Sequence, residues 1–215
     1  VGYLSNKIKD YYEDGSRFGV KIEYIEEQIP SGTGGALKEF QKLDLLDNYF
    51  LLINGDTLFD INFHDLSTTY PKDKIGHIAL NYVQNSDRYG RVITQGEDII
   101  SFKEKDQRIP GYINSGVGIF SKKLIKFITK VPSSLELDIF PLLLSKKLLS
   151  AKKYTSFFLD IGLPETLNYA QKIIPEWRSK PALLLDRDGV INIDYGYVHS
   201  MENFKWINGA KETVK

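Results

Sequence analysis

Two aspartates, one residue apart, follow three leucines near the end of the chain, in the sequence Leu183-Leu184-Leu185-Asp186-Arg187-Asp188-Gly189. The leucines predict a buried strand that ends by presenting both carboxylates in a turn. Carboxylates placed in this way suit Mg²⁺ and phosphate chemistry. Asp186 could attack phosphorus as a nucleophile, and Asp188 could transfer the proton. We therefore expect the start of a phosphate-handling domain here.

Two more acids stand at the ends of apolar runs. Asp56 closes Asn54-Gly55-Asp56 after one run, and Asp160 begins Asp160-Ile161-Gly162 after another. Ligands of open α/β sheets bind beyond the carboxyl ends of strands. Mg²⁺ takes one or two protein carboxylates together with substrate phosphates, so Asp56 and Asp160 could share one ion. An ordinary turn at the end of a strand is the alternative for each of them.

A glycine-rich segment and two polar clusters add further candidates. Gly32-Thr33-Gly34-Gly35 precedes a helix, where glycine permits close backbone approach and the helix N-terminus favours anions. Glu104 could accept hydrogen bonds from sugar hydroxyls, and Lys105 could neutralise a phosphate. Asn114 lies inside an apolar strand, which indicates either a close ligand or a bulge. Common turns and exposed charges remain the alternatives for the first two features.

The elements that would position these residues alternate between strand and helix, which predicts an α/β fold with a mainly parallel sheet. The expected strands are 20–25, 49–53, 75–83, a hairpin of 89–94 and 98–103, 112–120 and 154–159. The apolar run at 49–53 predicts a buried parallel strand. The expected helices are 3–12, 36–43, 122–129, 133–148 with a capping box formed by Ser133 and Glu136, and 164–174. A polar stretch bracketed by prolines predicts a linker at 176–181, which separates a domain at 1–175 from a second piece at 182–215.

Composition excludes several classes of protein. The 28 basic and 28 acidic residues balance, so we expect no nucleic-acid partner, which would require a basic excess. The chain has no cysteine, which excludes disulfides and thiolate zinc sites within it. No apolar run approaches the roughly 20 residues that span a bilayer, so no membrane partner is expected. Without a signal-peptide pattern after Val1, we expect a cytoplasmic location.

The order and spacing of the motifs across residues 1–175 resemble those of the sugar-1-phosphate nucleotidyltransferases. The resemblance implies a Rossmann-like fold and in-line attack by a sugar 1-phosphate on the α-phosphate of an NTP. The residues that it implies are Gly32, Thr33, Gly34 and Gly35 at the nucleotide base, Asp56 and Asp160 on Mg²⁺, Gly90, Glu104 and Asn114 at the sugar, and Lys105 at its phosphate. The metal and Lys105 would offset the charge that develops during transfer.

One departure from that family concerns its opening strand and glycine-rich loop, which carries Arg and Lys and grips the triphosphate. This element is not found from Val1 onward. We therefore expect a chain that begins at Val1 to bind NTP weakly and to turn over little.

Residues 182–215 resemble the start of the haloacid-dehalogenase-like phosphatases, specifically the branch acting on heptose bisphosphate and histidinol phosphate. The resemblance implies that Asp186 is the nucleophile and Asp188 the general acid/base. Mg²⁺ would be held by Asp186 and by the backbone carbonyl of Asp188. The later motifs of that family lie beyond Lys215, so these residues alone are not expected to release phosphate.

The pairing of the two families points to one route, in which phosphate is removed from a heptose bisphosphate and GTP then reacts with D-glycero-D-manno-heptose 1-phosphate. The product would be a GDP-heptose for surface glycans. Mannose-1-phosphate guanylyltransferase, or a relative that uses another base, is the alternative enzyme. A non-catalytic subunit that binds sugar nucleotides is the alternative from another class.

Overall fold

The structure is a computed structural model that describes residues 1–27, 29–42, 47–103, 108–179 and 184–213. It divides into two compact units, Val1–Leu167 and Asn168–Lys215. The division falls inside a helix and earlier than the expected boundary at residue 175. None of the helices formed by the described residues has the length and apolar character needed to cross a bilayer.

The first unit contains most of the regular structure. Its strands are β1 (Tyr49–Ile53), β2 (Thr57–Phe59), β3 (Gly76–Val83), β4 (Val92–Gln95), β5 (Asp98–Phe102), β6 (Gly111–Ser121), β7 (Leu149–Tyr154) and β8 (Phe158–Asp160). The helices of the chain are α1 (Ser5–Tyr12), α2 (Gly32–Lys42), α3 (Phe63–Thr68), α4 (Phe140–Ser145), α5 (Pro164–Arg178) and α6 (Ala210–Thr213). Short 3₁₀ segments at Ser16–Phe18 and Lys122–Phe127 and a π turn at Leu135–Ile139 complete the set.

Six strands form one mixed sheet in the order β1-β6-β3-β7-β5-β4, and β2 pairs with β8 in a separate two-stranded sheet. Among the described strands, only β3 and β7 run parallel to each other. The prediction of a mainly parallel sheet was therefore wrong. The reason is that β6 inserts between β1 and β3 and runs antiparallel to both, which strand and helix alternation along the chain does not encode.

The core packs on both faces of this sheet. Along β3, Ile78 and Leu80 point into one cluster with Phe120 and Phe140, while Ala79 joins a second cluster on the other face. The alternation follows from the two-residue side-chain period of a strand. β1 was expected to be a buried parallel strand. It lies instead at the edge of the sheet, with alternate residues exposed.

Several expected elements differ in extent. The predicted strands at 75–83 and 112–120 and the hairpin are present, with bounds shifted by up to a few residues. No strand forms at 20–25, and 154–159 divides into the end of β7 and β8. The expected helix at 133–148 is a π turn followed by α4, and its cap is Ser134, whose hydroxyl accepts from the Leu137 amide.

The expected linker at 176–181 is helical in its first part. α5 continues through Pro175 to Arg178, and residues 180–183 lie outside the described part of the chain. Leu184 and Leu185 form no strand, and Leu184 is 94% exposed, so these residues do not form the buried strand that the three leucines predicted. A buried strand needs neighbouring strands that pair with its backbone groups. The described residues 184–213 form isolated β-bridges but no strand.

Candidate functional site

A cleft in the first unit consists of three cavities of about 530, 280 and 380 Å³. Asn114 and Glu136 line all three, so the cavities meet at this pair. Each cavity is named after the residues that line it. The aromatic compartment is lined by Tyr89, Gly90, Phe102, Lys103, Leu137 and Pro141; the carboxylate compartment by Asp56, Arg88, Tyr89, Asp160 and Gly162; and the helix compartment by Thr33, Ala36, Asn54 and Phe140.

The carboxylate compartment brings together the two acids that the sequence placed at strand ends. β2 and β8 pair antiparallel with Thr57 opposite Asp160, and the Ile161 amide donates a 2.9 Å hydrogen bond to the Asp56 carbonyl. A Cβ atom placed on Gly162 would lie 3.0 Å from Oδ1 of Asp160 and 3.5 Å from Oδ2 of Asp56. Both carboxylates therefore flank one backbone position, and glycine there leaves room between them.

Asp160 is held in place by donors from two segments. The Tyr89 hydroxyl donates to Oδ2 at 3.0 Å, and the Gly162 amide donates to Oδ1 at 2.7 Å. Burial, followed by the hydrogen bond to Asp160, raises the pKa of Tyr89 to about 12. Tyr89 therefore keeps its proton at neutral pH and acts as a donor. Tyr89 was not among the site residues expected from the sequence.

The donor set fits a hard divalent cation that also binds substrate oxygens. Within the described part of the chain, no group of three or more His, Asp or Glu side chains could enclose a metal ion. Mg²⁺ commonly uses one or two protein carboxylates and completes its shell with water and phosphate oxygens. The pair Asp56 and Asp160 matches that pattern, and Mg²⁺ at this pair stays a prediction.

Asn114 and Glu136 form a fixed pair at the junction of the compartments. The Asn114 amide nitrogen donates to Oε1 of Glu136 at 2.8 Å, and the Gly116 amide donates to Oδ1 of Asn114 at 3.2 Å. These two contacts set the orientation of the Asn114 side chain, since a flipped amide would face like groups. Glu136 was expected to cap a helix. No signal in the sequence separated that expectation from a place in the cleft.

The glycine-rich segment forms the first turn of α2, which begins at Gly32 rather than at the expected Ala36. The Gly34 amide donates to the Ser133 carbonyl at 2.8 Å, and Gly32 has a φ of 75°, with its Cβ position 2.4 Å from the same oxygen. The Leu135 amide donates to the Thr33 hydroxyl at 2.8 Å. The glycines thus allow close packing of α2 on the segment that carries Glu136.

The residues that were expected at the nucleotide base therefore separate into two groups. Thr33 lines the helix compartment, whereas Gly32, Gly34 and Gly35 are not among its lining residues. A Cβ atom on Gly35 would lie 2.6 Å from the Ser31 side chain, so this glycine is also required by packing.

The structure describes only some of the residues that were expected to bind the sugar phosphate. Gly90 lines the aromatic compartment, and its Cβ position lies 2.7 Å from the Lys103 carbonyl oxygen. Glycine there lets the two segments approach closely. Glu104 and Lys105 lie outside the described residues, so their expected roles remain predictions.

The acidic loop of the second unit is a separate feature. Arg187 donates to both carboxylate oxygens of Asp188, at 2.9 and 3.0 Å, and the buried Asn192 side chain donates to Oδ1 at 3.0 Å. The Arg187 hydrogen bonds hold the pKa of Asp188 below its usual range. Asp188 thus accepts hydrogen bonds from Arg187 and Asn192 in this arrangement, and its expected role as general acid/base stays a prediction. Asp186 accepts a hydrogen bond from the Arg187 amide at 2.9 Å.

Comparisons with known proteins find relatives that are named as sugar-1-phosphate guanylyltransferases. The D-glycero-alpha-D-manno-heptose 1-phosphate guanylyltransferase of Aneurinibacillus thermoaerophilus is 35% identical over 179 residues, which cover 80% of this chain and 75% of the relative. The mannose-1-phosphate guanyltransferase beta-B of Xenopus laevis is 34% identical over 172 residues, which cover 77% of this chain and 48% of the relative.

A solved structure has a similar fold. The crystal structure of HddC from Yersinia pseudotuberculosis complexed with GMP-PN superposes with a TM-score of 0.69 at 30% identity, covering 81% of this chain and 76% of that one. A family model described as nucleotidyl transferase matches residues 2–176. On these findings, the chain belongs to the nucleotidyl transferase family.

Proposed function

We propose that this chain transfers GMP from GTP to a sugar 1-phosphate and releases pyrophosphate, with D-glycero-D-manno-heptose 1-phosphate as the sugar substrate. The observation that carries the proposal is the pair Asp56 and Asp160, which flank Gly162 in the carboxylate compartment of the cleft. Both relatives compared above are named as guanylyl- or guanyltransferases of a sugar 1-phosphate, which supports guanine as the base and a phosphorylated sugar as the acceptor.

The reaction forms a bond between an oxygen of the sugar phosphate and the α-phosphorus of GTP, and it breaks the bond from that phosphorus to pyrophosphate. Asp56 and Asp160 would hold Mg²⁺, which would neutralise charge on the reacting phosphates. The carboxylate compartment lies between the other two in this proposal. The helix compartment, with Thr33, takes the nucleoside, and the aromatic compartment, with Gly90, takes the sugar.

Asn114 would position the two substrates for the proposed reaction. Its amide is held by Glu136 and Gly116, so it can offer a fixed polar group to both substrates at the point where the compartments meet. Positioning of this kind lowers the barrier because the reacting atoms are brought together before the chemical step.

Heptose is proposed ahead of mannose because of the relatives. The relative named for heptose 1-phosphate is matched over 75% of its length, against 48% for the one named for mannose 1-phosphate, at similar identity. Mannose 1-phosphate as the preferred substrate would overturn the heptose part of the proposal and leave guanylyl transfer intact.

The test measures pyrophosphate release from GTP with heptose 1-phosphate, mannose 1-phosphate and glucose 1-phosphate. It uses the 215-residue chain and a chimera in which an opening strand and glycine-rich loop of the kind that the family resemblance implies precede Val1. We expect heptose 1-phosphate to rank first and Asp56→Ala to abolish release, while the exposed control Asp73→Ala keeps it. If both proteins bind the sugar nucleotide and neither releases pyrophosphate, the result would favour the alternative, a non-catalytic binding subunit.

We also propose that residues 182–215 begin a phosphatase of the haloacid-dehalogenase-like class, so that the parent protein carries two activities. The support is the acidic loop itself. The Ile191 amide donates to the Arg187 carbonyl at 2.8 Å, and the Gly189 amide donates to the Asn192 carbonyl at 2.8 Å, which closes a compact turn around Asp188. Asp186 at the start of this loop would be the nucleophile for a phosphorylated heptose.

A further inference from the structure

Arg88 is a cation placed directly beside the two acids of the carboxylate compartment. Its Nη2 lies 3.6 Å from Oδ1 of Asp160, and its side chain is 35% exposed. Among the described residues that line this compartment, it is the only one with a positive charge. The guanidinium also lies 5.4 Å from the centre of the Tyr89 ring.

The contact between Arg88 and Asp160 is loose. A separation of 3.6 Å is too long for a hydrogen bond, and both oxygens of Asp160 already accept from shorter donors, Tyr89 and the Gly162 amide. The guanidinium therefore contributes charge to Asp160 without using its planar set of donors on it. Exchange of this partner for a better acceptor would cost little, since partly exposed ion pairs contribute little stability.

A phosphate that enters this compartment meets two carboxylates and requires compensation of charge. Arginine binds phosphate through two parallel N–H groups, which lysine cannot reproduce. We propose that Arg88 is a phosphate-binding residue that leaves Asp160 and binds a substrate phosphate when the carboxylates take a divalent cation. This inference rests on the proposed function for the identity of the substrates, and it adds to that function a residue that binds the substrate.

Two phosphates could be the one that Arg88 binds, the phosphate of the sugar 1-phosphate and the α-phosphate of the nucleotide. The experiment separates them by measuring affinities for mannose 1-phosphate and for GMP by isothermal titration calorimetry, each with saturating Mg²⁺ because the proposal requires a bound cation. Methyl mannoside and guanosine are the matched ligands without phosphate. A fifth titration uses Mn²⁺ alone, followed by its electron paramagnetic resonance signal.

Arg88→Met keeps most of the length of the side chain and removes the charge. We expect it to weaken binding of one or both phosphate ligands about 10- to 100-fold, in line with the loss of charge-assisted hydrogen bonds. Guanosine and methyl mannoside should bind as they do to the wild-type chain. Because the competing cation is gone, Mn²⁺ should bind several-fold more tightly. The phosphate affinities of Arg88→Lys should fall between those of Arg88→Met and those of the wild-type chain.

Arg108→Met is the matched control. Arg108 is 84% exposed and pairs with Asp87 at 3.3 Å, and it lines none of the three compartments. Its substitution should change none of the five affinities. If Arg88→Met weakened Mn²⁺ and guanosine binding together with phosphate binding, Arg88 would be a structural residue and the inference would be wrong. Unchanged affinity for both phosphate ligands would overturn it as well.

The inference and the proposed function fail separately. Absence of pyrophosphate release with every sugar 1-phosphate counts against the proposed function, while a phosphate affinity that depends on Arg88 would still stand. Conversely, active guanylyl transfer with an Arg88→Met affinity profile like that of the wild-type chain removes Arg88 alone from the mechanism.

Discussion

The side-chain amide of Asn114 donates a 2.8 Å hydrogen bond to Glu136, and this contact joins β6 to the π turn Leu135–Ile139 at the point where three cavities meet. Glu136 therefore acts on Asn114 as a positioning residue. Glu136→Gln keeps an oxygen that can accept from Asn114, whereas Glu136→Ala leaves the Asn114 amide held only by the Gly116 amide.

From this contact we expect Asn114→Ala to raise KM for the sugar 1-phosphate about tenfold, as expected for the loss of one or two hydrogen bonds. Glu136→Ala should raise KM by a smaller factor, and Glu136→Gln should stay near the wild-type value. Steady-state kinetics across a range of sugar concentrations checks the order. Equal effects of the Gln and Ala substitutions would show that the carboxylate charge, rather than the hydrogen bond, is what matters.

Gly32→Ala should destabilise the first unit. Gly32 has a φ of 75°, which costs roughly 1–2 kcal/mol for an alanine, and the added Cβ would lie 2.4 Å from the Ser133 carbonyl oxygen. We expect a loss of about 2–3 kcal/mol in the free energy of unfolding, measured by urea denaturation. Gly2→Ala is the control, because a Cβ there meets nothing within 4 Å. Equal stability of the two variants would contradict the packing role of the glycine-rich segment.

His77 should make the fold sensitive to acid. Its Nδ1 lies 2.8 Å from the Ser150 hydroxyl, which donates to the Gly76 carbonyl, and its buried Nε2 has no hydrogen-bond partner among the described residues. Burial, and then the charge of Lys152, lower the pKa of His77 to about 4. Below pH 6.5 the unfolded chain takes up a proton that the folded chain does not, so stability is complete above pH 6.5 and falls as the pH approaches 4.

The expected loss from His77 is roughly 3 kcal/mol between pH 7 and pH 4, because one pKa unit corresponds to about 1.4 kcal/mol. Urea denaturation at pH 7, 5.5 and 4 measures it. His77→Gln should flatten this dependence even if it lowers stability overall, and His64→Gln, at an exposed position, should not. A parallel pH profile for wild type and His77→Gln would assign the acid sensitivity to other groups.

Asp186→Asn should leave guanylyl transfer within twofold of wild type, because Asp186 belongs to the second compact unit and Asp56 and Asp160 belong to the first. In a protein that continues into a complete phosphatase domain, the same substitution should abolish phosphate release from heptose bisphosphate. Both reactions can be followed in one assay that separates phosphate from pyrophosphate. Loss of guanylyl transfer on this substitution would mean that the two sites are not independent.

The sequence by itself determined the features that depend on neighbours along the chain. The apolar runs of β3 and β6 and the turn residues between β4 and β5 are local signals, and these strands were expected close to where they lie. The position of Asp56 and Asp160 at the ends of apolar runs was also predictable from the sequence. Their approach to each other follows from the pairing of β2 with β8.

Only the tertiary structure decided which partners these local elements have. The direction of β1 depends on its pairing with β6, far along the chain, and the start of α2 at Gly32 depends on the Ser133 carbonyl that accepts from Gly34. Glu136 enters the cleft because a π turn replaces the expected first turn of a helix. Contacts between segments far apart in sequence set each of these features, and no periodicity or motif within one segment records the hydrogen-bonding groups of another.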